Sequence, residues 1–396
     1  MTVVEPNESA ATTTEMRREV EVSVVIPCLN EEETIEQVVS AAHAGLAAAG
    51  VTGEVVVVDN ASEDRSAELA RANGAVVVYE PHRGYGSAYL SGLATARGRY
   101  VVMADADGTY PLELISTFVE RLRNGADLVI GSRFKGSIDP GAMPWPNRYI
   151  GNPILTGMLN LLFRSGVSDA HCGLRAIRSD ALPKLKLSAT GMEFASEMLI
   201  KAGKRRLRVE EIPIDYHRRG GESKLSPASD AWRHVRLMLV HSPTFLFTVP
   251  GGLATLIGLI GLTVLACLPG LGDPWTGASV AFAMLAIVGV GVIQLGLFSR
   301  TYAVVYLGEA DQWLERGWRR LRLEHGLAGS AVVLTLGLGI TTGSFFDEVK
   351  DPRLGILGLA LMAIALQAIF ASFFLSILGL SEHAILRLRG PGRTAA

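Results

Sequence analysis

A chain of 396 residues with 49% hydrophobic side chains and a mean hydropathy of +0.30 is too apolar to be purely soluble, yet long enough for a sizeable soluble domain beside a membrane part. The formal net charge is only −2, and no nucleic-acid partner is expected. Three cysteines, Cys28, Cys172 and Cys267, are far apart and odd in number; they suggest neither a disulfide framework nor a zinc site and read as small buried side chains.

Residues 1–21 are polar and rich in Thr and Glu, without the apolar run a signal peptide needs. They read as a disordered tail that leaves the N-terminus in the cytoplasm. From Val22 onward, short β-branched runs at 22–27, 54–59, 75–79, 100–104 and 128–132 alternate with helix-length segments. That alternation predicts an α/β domain over 22–228, with a mostly parallel sheet covered on both faces. In such sheets ligands bind beyond the carboxyl ends of the strands. A helix around Glu193 to Glu197 and a strand at 207–213 follow later.

The first run leads into Pro27-Cys28-Leu29-Asn30-Glu31-Glu32-Glu33, where Asn30 reads as a helix N-cap and Glu33 as its capping-box partner. The second ends in Asp59-Asn60-Ala61-Ser62, and Asp59 suits either the imino N–H of a nucleobase or the cap of the next helix. Gly84 and Gly86 permit a close approach of backbone to ligand, without forming a Walker or dinucleotide fingerprint. After the run at 100–104 stand Asp105-Ala106-Asp107, two carboxylates one residue apart. Mg²⁺ or Mn²⁺ prefers carboxylate and phosphate oxygens, so this pair reads as a metal site completed by a nucleotide diphosphate; Asp and Gly are equally ordinary turn formers. Next come Gly131-Ser132-Arg133, a basic-aromatic loop to Arg148, Asp169 within 167–175, and Arg218-Arg219-Gly220-Gly221-Glu222-Ser223-Lys224.

Between Lys201 and His241 there are ten Lys or Arg against five Asp or Glu. Such a bias beside a membrane suits anionic headgroups or a lipid phosphate, and equally a solvated face. Residues 229–244 carry Trp232, Val235 and Leu239 among Arg233, His234 and Arg236, the pattern of an interfacial amphipathic helix. A membrane domain is expected over 245–396, with apolar stretches at 245–268, 279–297, 329–346 and 354–380; a span needs about 20 apolar residues. Arginines concentrate between the second and third stretches and after the fourth, whereas 269–276 has neither Lys nor Arg. The positive-inside rule then puts both termini and the soluble domain on the cytoplasmic side of the plasma membrane. Trp275, Trp313 and Trp318 fit the interfacial belt, and the Gly and Ala content of the spans permits close packing, including between subunits of a homo-oligomer.

The ordered set Pro27-x-x-Asn30-Glu31, Asp59, Asp105-Ala106-Asp107, Gly131-Ser132-Arg133, Asp169 and Arg218-x-x-Gly221-Glu222-Ser223-Lys224 resembles the family-2 glycosyltransferases of GT-A (Rossmann-like) fold, of the polyprenyl-phosphate (dolichyl-phosphate) mannose and glucose synthase type. The resemblance runs in order from about residue 22 to 225 and implies a nucleotide-sugar-binding domain followed by interfacial helices and a four-helix transmembrane region. It implies that Pro27, Leu29, Asn30, Glu31, Asp59, Asn60, Gly84, Asp105 and Ala106 serve the nucleotide. Asp105 and Asp107 would hold the metal, and Asp107, Arg133 and Asp169 would be catalytic. Arg133, Arg148, Arg218, Ser223 and Lys224 would face the lipid phosphate and diphosphate. Three positions depart from the family pattern: Leu29 stands where many members have tyrosine, Tyr85 where many have lysine, and Thr109 where some place a metal-ligating glutamine.

These readings converge on an inverting, metal-dependent transfer of one hexose from a UDP- or GDP-sugar to polyprenyl phosphate among membrane lipids. A metal bridging the diphosphate oxygens acts as a Lewis acid, and Arg and Lys complete the neutralisation. A phosphate acceptor, with a second pKa of about 6, needs no strong general base, so Asp169 is either catalytic or a loop-capping residue. One alternative is a family-2 enzyme with another lipid or polysaccharide acceptor, although the Gln-x-x-Arg-Trp motif of processive synthases is absent. Another is a non-catalytic lipid-sugar translocator, which intramembrane charge pairs would favour; the four spans carry essentially none.

Overall fold

The computed structural model describes residues 20–221, 227–268, 274–307, 323–346 and 352–388. Ser223 and Lys224, most of the expected N-terminal tail, and the arginines at 316–322 lie outside the described residues. The chain divides into two compact units, Met1–His241 and Ser242–Ala396.

In the first unit, strands β1 (Val22–Cys28), β2 (Gly53–Asp59), β3 (Val76–Tyr79), β4 (Tyr100–Met103), β5 (Leu128–Ser132), β6 (Arg175–Arg178) and β7 (Val209–Pro213) form one sheet in the order β3-β2-β1-β4-β6-β5-β7. Neighbours are parallel except around β6, which runs antiparallel to both β4 and β5. The sequence reading did not contain β6. Its four residues begin and end in arginine, so no β-branched run announces it, and pairing on both sides is what makes it a strand.

Helices α1 (Ile35–Ala48), α2 (Ser66–Ala72), α3 (Tyr85–Thr95), α4 (Ile115–Arg123), α5 (Asn152–Phe163), α6 (Leu182–Leu185), α7 (Phe194–Lys204) and α8 (Pro227–Val240) cover the sheet. Because strand side chains alternate between faces, the valine-rich strands serve two cores at once. Val22, Val24 and Ile26 of β1 join Val55 and Val57 of β2 in one core, closed by Val38, Val39 and Ala42 of α1 and by Phe118 and Leu122 of α4. Val25, Val56, Val58, Val101 and Met103 face the other, closed by Tyr89 of α3, Leu159 of α5 and Met198 of α7. Each such fully buried side chain contributes roughly 1.5–3 kcal/mol. The helix read from sequence as interfacial belongs to this second core: α8 buries His234 and Met238 and packs on α5 and α7, leaving Trp232 and Val240 exposed.

The second unit holds α9 (Val249–Cys267), α10 (Pro274–Leu307), α11 (Leu323–Phe346) and α12 (Pro352–Leu388). Four segments, Thr244–Cys267, Trp275–Val305, Leu323–Ser344 and Pro352–Leu378, are long and apolar enough to cross a membrane. Cys28 and Cys172 are buried as expected, whereas Cys267, at the end of α9, is exposed.

Candidate active site

Strands β1, β2 and β4 deliver their carboxyl ends to one edge of the sheet, and a cavity of about 470 Å³ opens there. Pro27, Leu29, Glu31, Asn60, Gly84, Asp105, Ala106, Asp107 and Arg133 all line it. Asn30 and Asp59 are not among the lining residues. Asn30 adopts a left-handed φ of 51°, donates its N–H to Ser62 Oγ and accepts from the Glu63 N–H at 2.7 Å. Helix α1 starts only at Ile35 after Thr34, so the capping box expected of Asn30 and Glu33 is not formed. Asp59 accepts the N–H of Ser62 on one carboxylate oxygen at 3.0 Å, a turn contact.

Asn60 holds the cavity wall from three directions: its amide donates to the carbonyls of Glu80 and His82, and its Oδ1 accepts from Gly84 N. The two glycines expected to admit a ligand also admit the chain's own loop, and Gly84 lines the cavity as well. A Cβ on Gly86 would lie 2.1 Å from the Ala189 carbonyl, and one on Gly84 2.4 Å from that of Thr190. That loop is anchored by Glu197, whose carboxylate accepts the N–H groups of Ser188 and Ala189 and pairs with Lys201 at 2.6 Å.

Asp105 and Asp107 sit side by side at the centre. Tyr85 donates its hydroxyl to Asp105 at 2.9 Å, so the tyrosine at the departure from the family pattern has a partner of its own. Thr109 donates to Asp107 at 2.7 Å. Burial, and then the Asp107 charge, push the Asp105 carboxyl up to about 7. Two carboxylates that repel each other in a cavity are relieved by a cation. The donor set is all hard oxygen, as Mg²⁺ or Mn²⁺ requires. Among the described residues no group of three or more His, Cys, Asp or Glu assembles, so phosphate and water oxygens would have to complete the shell.

Among the described residues Arg219 reaches this pair and the Arg133 charge also acts on Asp105; sequence reasoning passed over Arg219 in favour of its neighbour. Arg219 Nη2 donates to Glu31 at 2.7 Å, and Nη1 lies 3.4 Å from Asp107. Arg218 donates its Nε to the Pro140 carbonyl at 2.7 Å and lines neither this cavity nor the next. The segment around 216–220 lies beside residues 107–109, with His217 N donating to Thr109 O and Gly220 N to Asp107 O. Spacing alone does not reveal which of the two arginines reaches the carboxylates.

Asp169 is fully buried and holds Arg133 through two side-chain bonds, at 2.7 and 2.8 Å, and a third to its backbone N–H. Arg133 borders a second cavity of about 300 Å³, lined also by Phe134, Arg148 and Tyr149. Near it Trp145, Tyr149, Ile150 and Ile154 remain exposed. Further residues of the first cavity, unsuspected from sequence, are Tyr110, His171 and Tyr216, together with Asp230, Arg233 and His234 of α8. His171 lies inside the 167–175 motif, the one signal that pointed to it; the α8 residues gave none.

Comparison with known proteins agrees with this architecture. The glycosyl transferase family 2 model matches residues 23–186, and the family-2 C-terminal transmembrane region matches 297–379. The chain is 39% identical over 378 residues to a low-salt glycan biosynthesis hexosyltransferase, Agl6, of Haloferax volcanii, covering 90% of this chain and 89% of that protein. It is 34% identical to a dolichyl-phosphate hexose transferase of the same organism, over 52% of this chain and 87% of the relative. A glucosyl-3-phosphoglycerate synthase structure from Mycobacterium tuberculosis aligns with a TM-score of 0.47 at 24% identity, covering 60% of this chain and 86% of that one. With a nucleotide-sugar type α/β domain, the family's membrane region and a full-length relative at this identity, the chain belongs to glycosyltransferase family 2 and is a membrane-bound glycosyltransferase.

Proposed function

We propose that this enzyme transfers one hexose, glucose or mannose, from a UDP- or GDP-sugar to polyprenyl phosphate, with inversion and with Mg²⁺ or Mn²⁺, at the cytoplasmic face of the plasma membrane. The observation that carries the reading is the position of Arg133, which borders both the cavity of the paired carboxylates and the second cavity with Arg148 and Tyr149. A donor diphosphate in the first and an acceptor phosphate in the second would share that guanidinium. The exposed aromatic and aliphatic side chains beside the second cavity suit a prenyl tail. The names of the relatives, a hexosyltransferase and a dolichyl-phosphate hexose transferase, support the same acceptor class.

Asp105 and Asp107 would hold the metal, which when bound stabilises the departing diphosphate as a Lewis acid. Arg219 is within reach of the same charge and would help neutralise it. Pro27, Leu29, Glu31 and Asn60 would flank the nucleoside, since they line the same cavity at the ends of β1 and β2. A phosphate acceptor with a second pKa of about 6 is largely dianionic at neutral pH and attacks without a strong base. Asp169 fits that economy: both of its oxygens are taken by Arg133, so it positions the guanidinium rather than removing a proton.

The test is to incubate detergent-solubilised protein with polyprenyl phosphate, Mg²⁺ or Mn²⁺ and a panel of radiolabelled nucleotide sugars. Label entering the organic phase with one sugar, and lost with EDTA, is the expected result. Label that stays aqueous with every donor would overturn the acceptor assignment.

A further inference from the structure

His171 is held more rigidly than a loop residue needs to be. The guanidinium of Arg175, itself buried, donates to the carbonyls on either side of it, Ala170 and Cys172, each at 2.7 Å, and to Ala195 of α7, also at 2.7 Å. All three bonds go to backbone carbonyls, so Arg175 acts as a brace for this turn. The imidazole it fixes lines the cavity of the paired carboxylates. Its Nε2 meets Ser196 Oγ at 3.3 Å, and the same hydroxyl meets Nδ1 of His234 at 2.8 Å. The two rings stand edge to face, 4.5 Å apart at 85°.

One hydroxyl between two imidazoles links their protons: its single O–H donates to at most one ring, so at least one of the two rings donates to Ser196. Each ring is held neutral, His171 well below its ordinary value by burial and then by the His234, Arg175 and Arg133 charges. His171 Nδ1, the remaining polar atom of that ring, is buried and has no hydrogen-bond partner. Buried polar groups are almost always satisfied, so an unpartnered atom in a ring that lines the cavity is one that a ligand group could satisfy. Whichever tautomer Ser196 selects, Nδ1 presents either a lone pair or an N–H, and a sugar hydroxyl can answer both.

We propose that His171 Nδ1 is a recognition point for a hydroxyl of the transferred hexose, and that Ser196 and His234 set its tautomer as positioning residues. This rests on the reading of the enzyme as a nucleotide-sugar hexosyltransferase. The hexose must lie near the carboxylate pair, and His171 is brought there by the same turn: Gly173, two residues on, would place a Cβ 2.4 Å from Asp105 Oδ2. Family-2 enzymes of different sugar choice would then differ at this ring. A wall built to bond a hydroxyl discriminates more sharply than an apolar one, because a mismatched sugar leaves the buried group unpaired.

The test measures binding by titration calorimetry on the full chain in detergent with Mn²⁺, using UDP, GDP and their glucose and mannose derivatives. His171→Ala is expected to bind the nucleoside diphosphate within about twofold of wild type while losing about three- to tenfold of affinity for the preferred nucleotide hexose. His171→Asn, whose amide falls near the Nδ1 position, is expected to recover most of that loss and guards against a misfolded alanine variant. Ser196→Ala should flatten the preference between glucose and mannose with nucleotide affinity unchanged, an effect that a purely structural hydroxyl would not produce. Unchanged hexose affinity and selectivity in folded His171→Ala and His171→Asn would overturn the inference while leaving the transferase reading intact. A wild type that binds no nucleotide sugar would overturn both. Donor effects that follow this pattern in an enzyme that does not label polyprenyl phosphate would support the inference and remove only the acceptor assignment.

Discussion

Arg218 and Arg219 are neighbours in the chain and serve different surroundings, and that difference is directly testable. Arg219 bonds Glu31 and approaches Asp107, whereas Arg218 is spent on the Pro140 carbonyl. Removing a preorganised charge from a developing anion costs about 10²–10³ in turnover. Arg219→Ala is therefore expected to lower transfer by about that factor in neutral detergent with a short prenyl phosphate, and Arg218→Ala to stay within about threefold. Equal losses in the two variants would return the phosphate contact to Arg218. Asp107→Asn should abolish transfer with the thermal transition nearly unmoved, since it removes a formal charge at constant volume and leaves an oxygen for Thr109. Near-normal turnover at saturating Mn²⁺ would show that Asp107 holds no metal. Asp169→Ala makes the opposite kind of change: it leaves the Arg133 guanidinium buried without its partner, at a cost of about 3–5 kcal/mol of stability. Chemical denaturation reads that loss, and a change of less than about 1 kcal/mol would show the pair to be better solvated than its geometry indicates.

Helix α8 has a packing role that the sequence pattern did not show. Its pattern of Trp232, Val235 and Leu239 among basic residues is that of a helix lying on a bilayer, and one face of it docks on α5 and α7 with His234 buried. The docking has a pH signature. Burial, and secondarily the Arg175 charge, lower His234 from about 6.5 to about 4, with Asp230 acting in the opposite direction. Above pH 6.5 both folded and unfolded chains hold this ring neutral, so it contributes no pH dependence. Between 6.5 and 4 the unfolded chain takes up a proton that the folded one refuses, and stability falls as pH falls through that window. Thermal melts of the wild type should show this decline, and His234→Gln should show a shallower one. An unchanged slope in the variant would assign the acid sensitivity to other groups.

At the scale of the whole molecule, an α/β unit with its own two cores precedes four apolar helices of spanning length. The distribution of arginines along the sequence predicts an orientation for such a bundle, because cytoplasmic loops retain positive charge. A single cysteine placed at Gly272 should react with an impermeant thiol reagent in intact cells, and one placed at Arg319 should not. The background must first carry Cys267→Ser, since that thiol alone among the three is exposed. Reversed labelling would put the catalytic unit on the other side of the membrane.

The sequence by itself determined the architecture and singled out the carboxylate pair that the fold places in the cavity. Short β-branched runs, helix-length spacers and four apolar stretches are local signals, and local signals survive in one dimension. Asp105 and Asp107 were legible for the same reason: they are adjacent in the chain and end a strand. What it could not determine is which distant groups converge. Strand β6 exists through its two partners, Asn30 is engaged by cross-loop bonds, and His171, Ser196 and His234 come from three segments spread over more than sixty positions. Which of Arg218 and Arg219 reaches the carboxylates was likewise settled by tertiary contacts. Such choices depend on burial and pairing across the fold, where a buried polar atom must find a partner from whatever segment packs beside it, and only the tertiary structure supplies that segment.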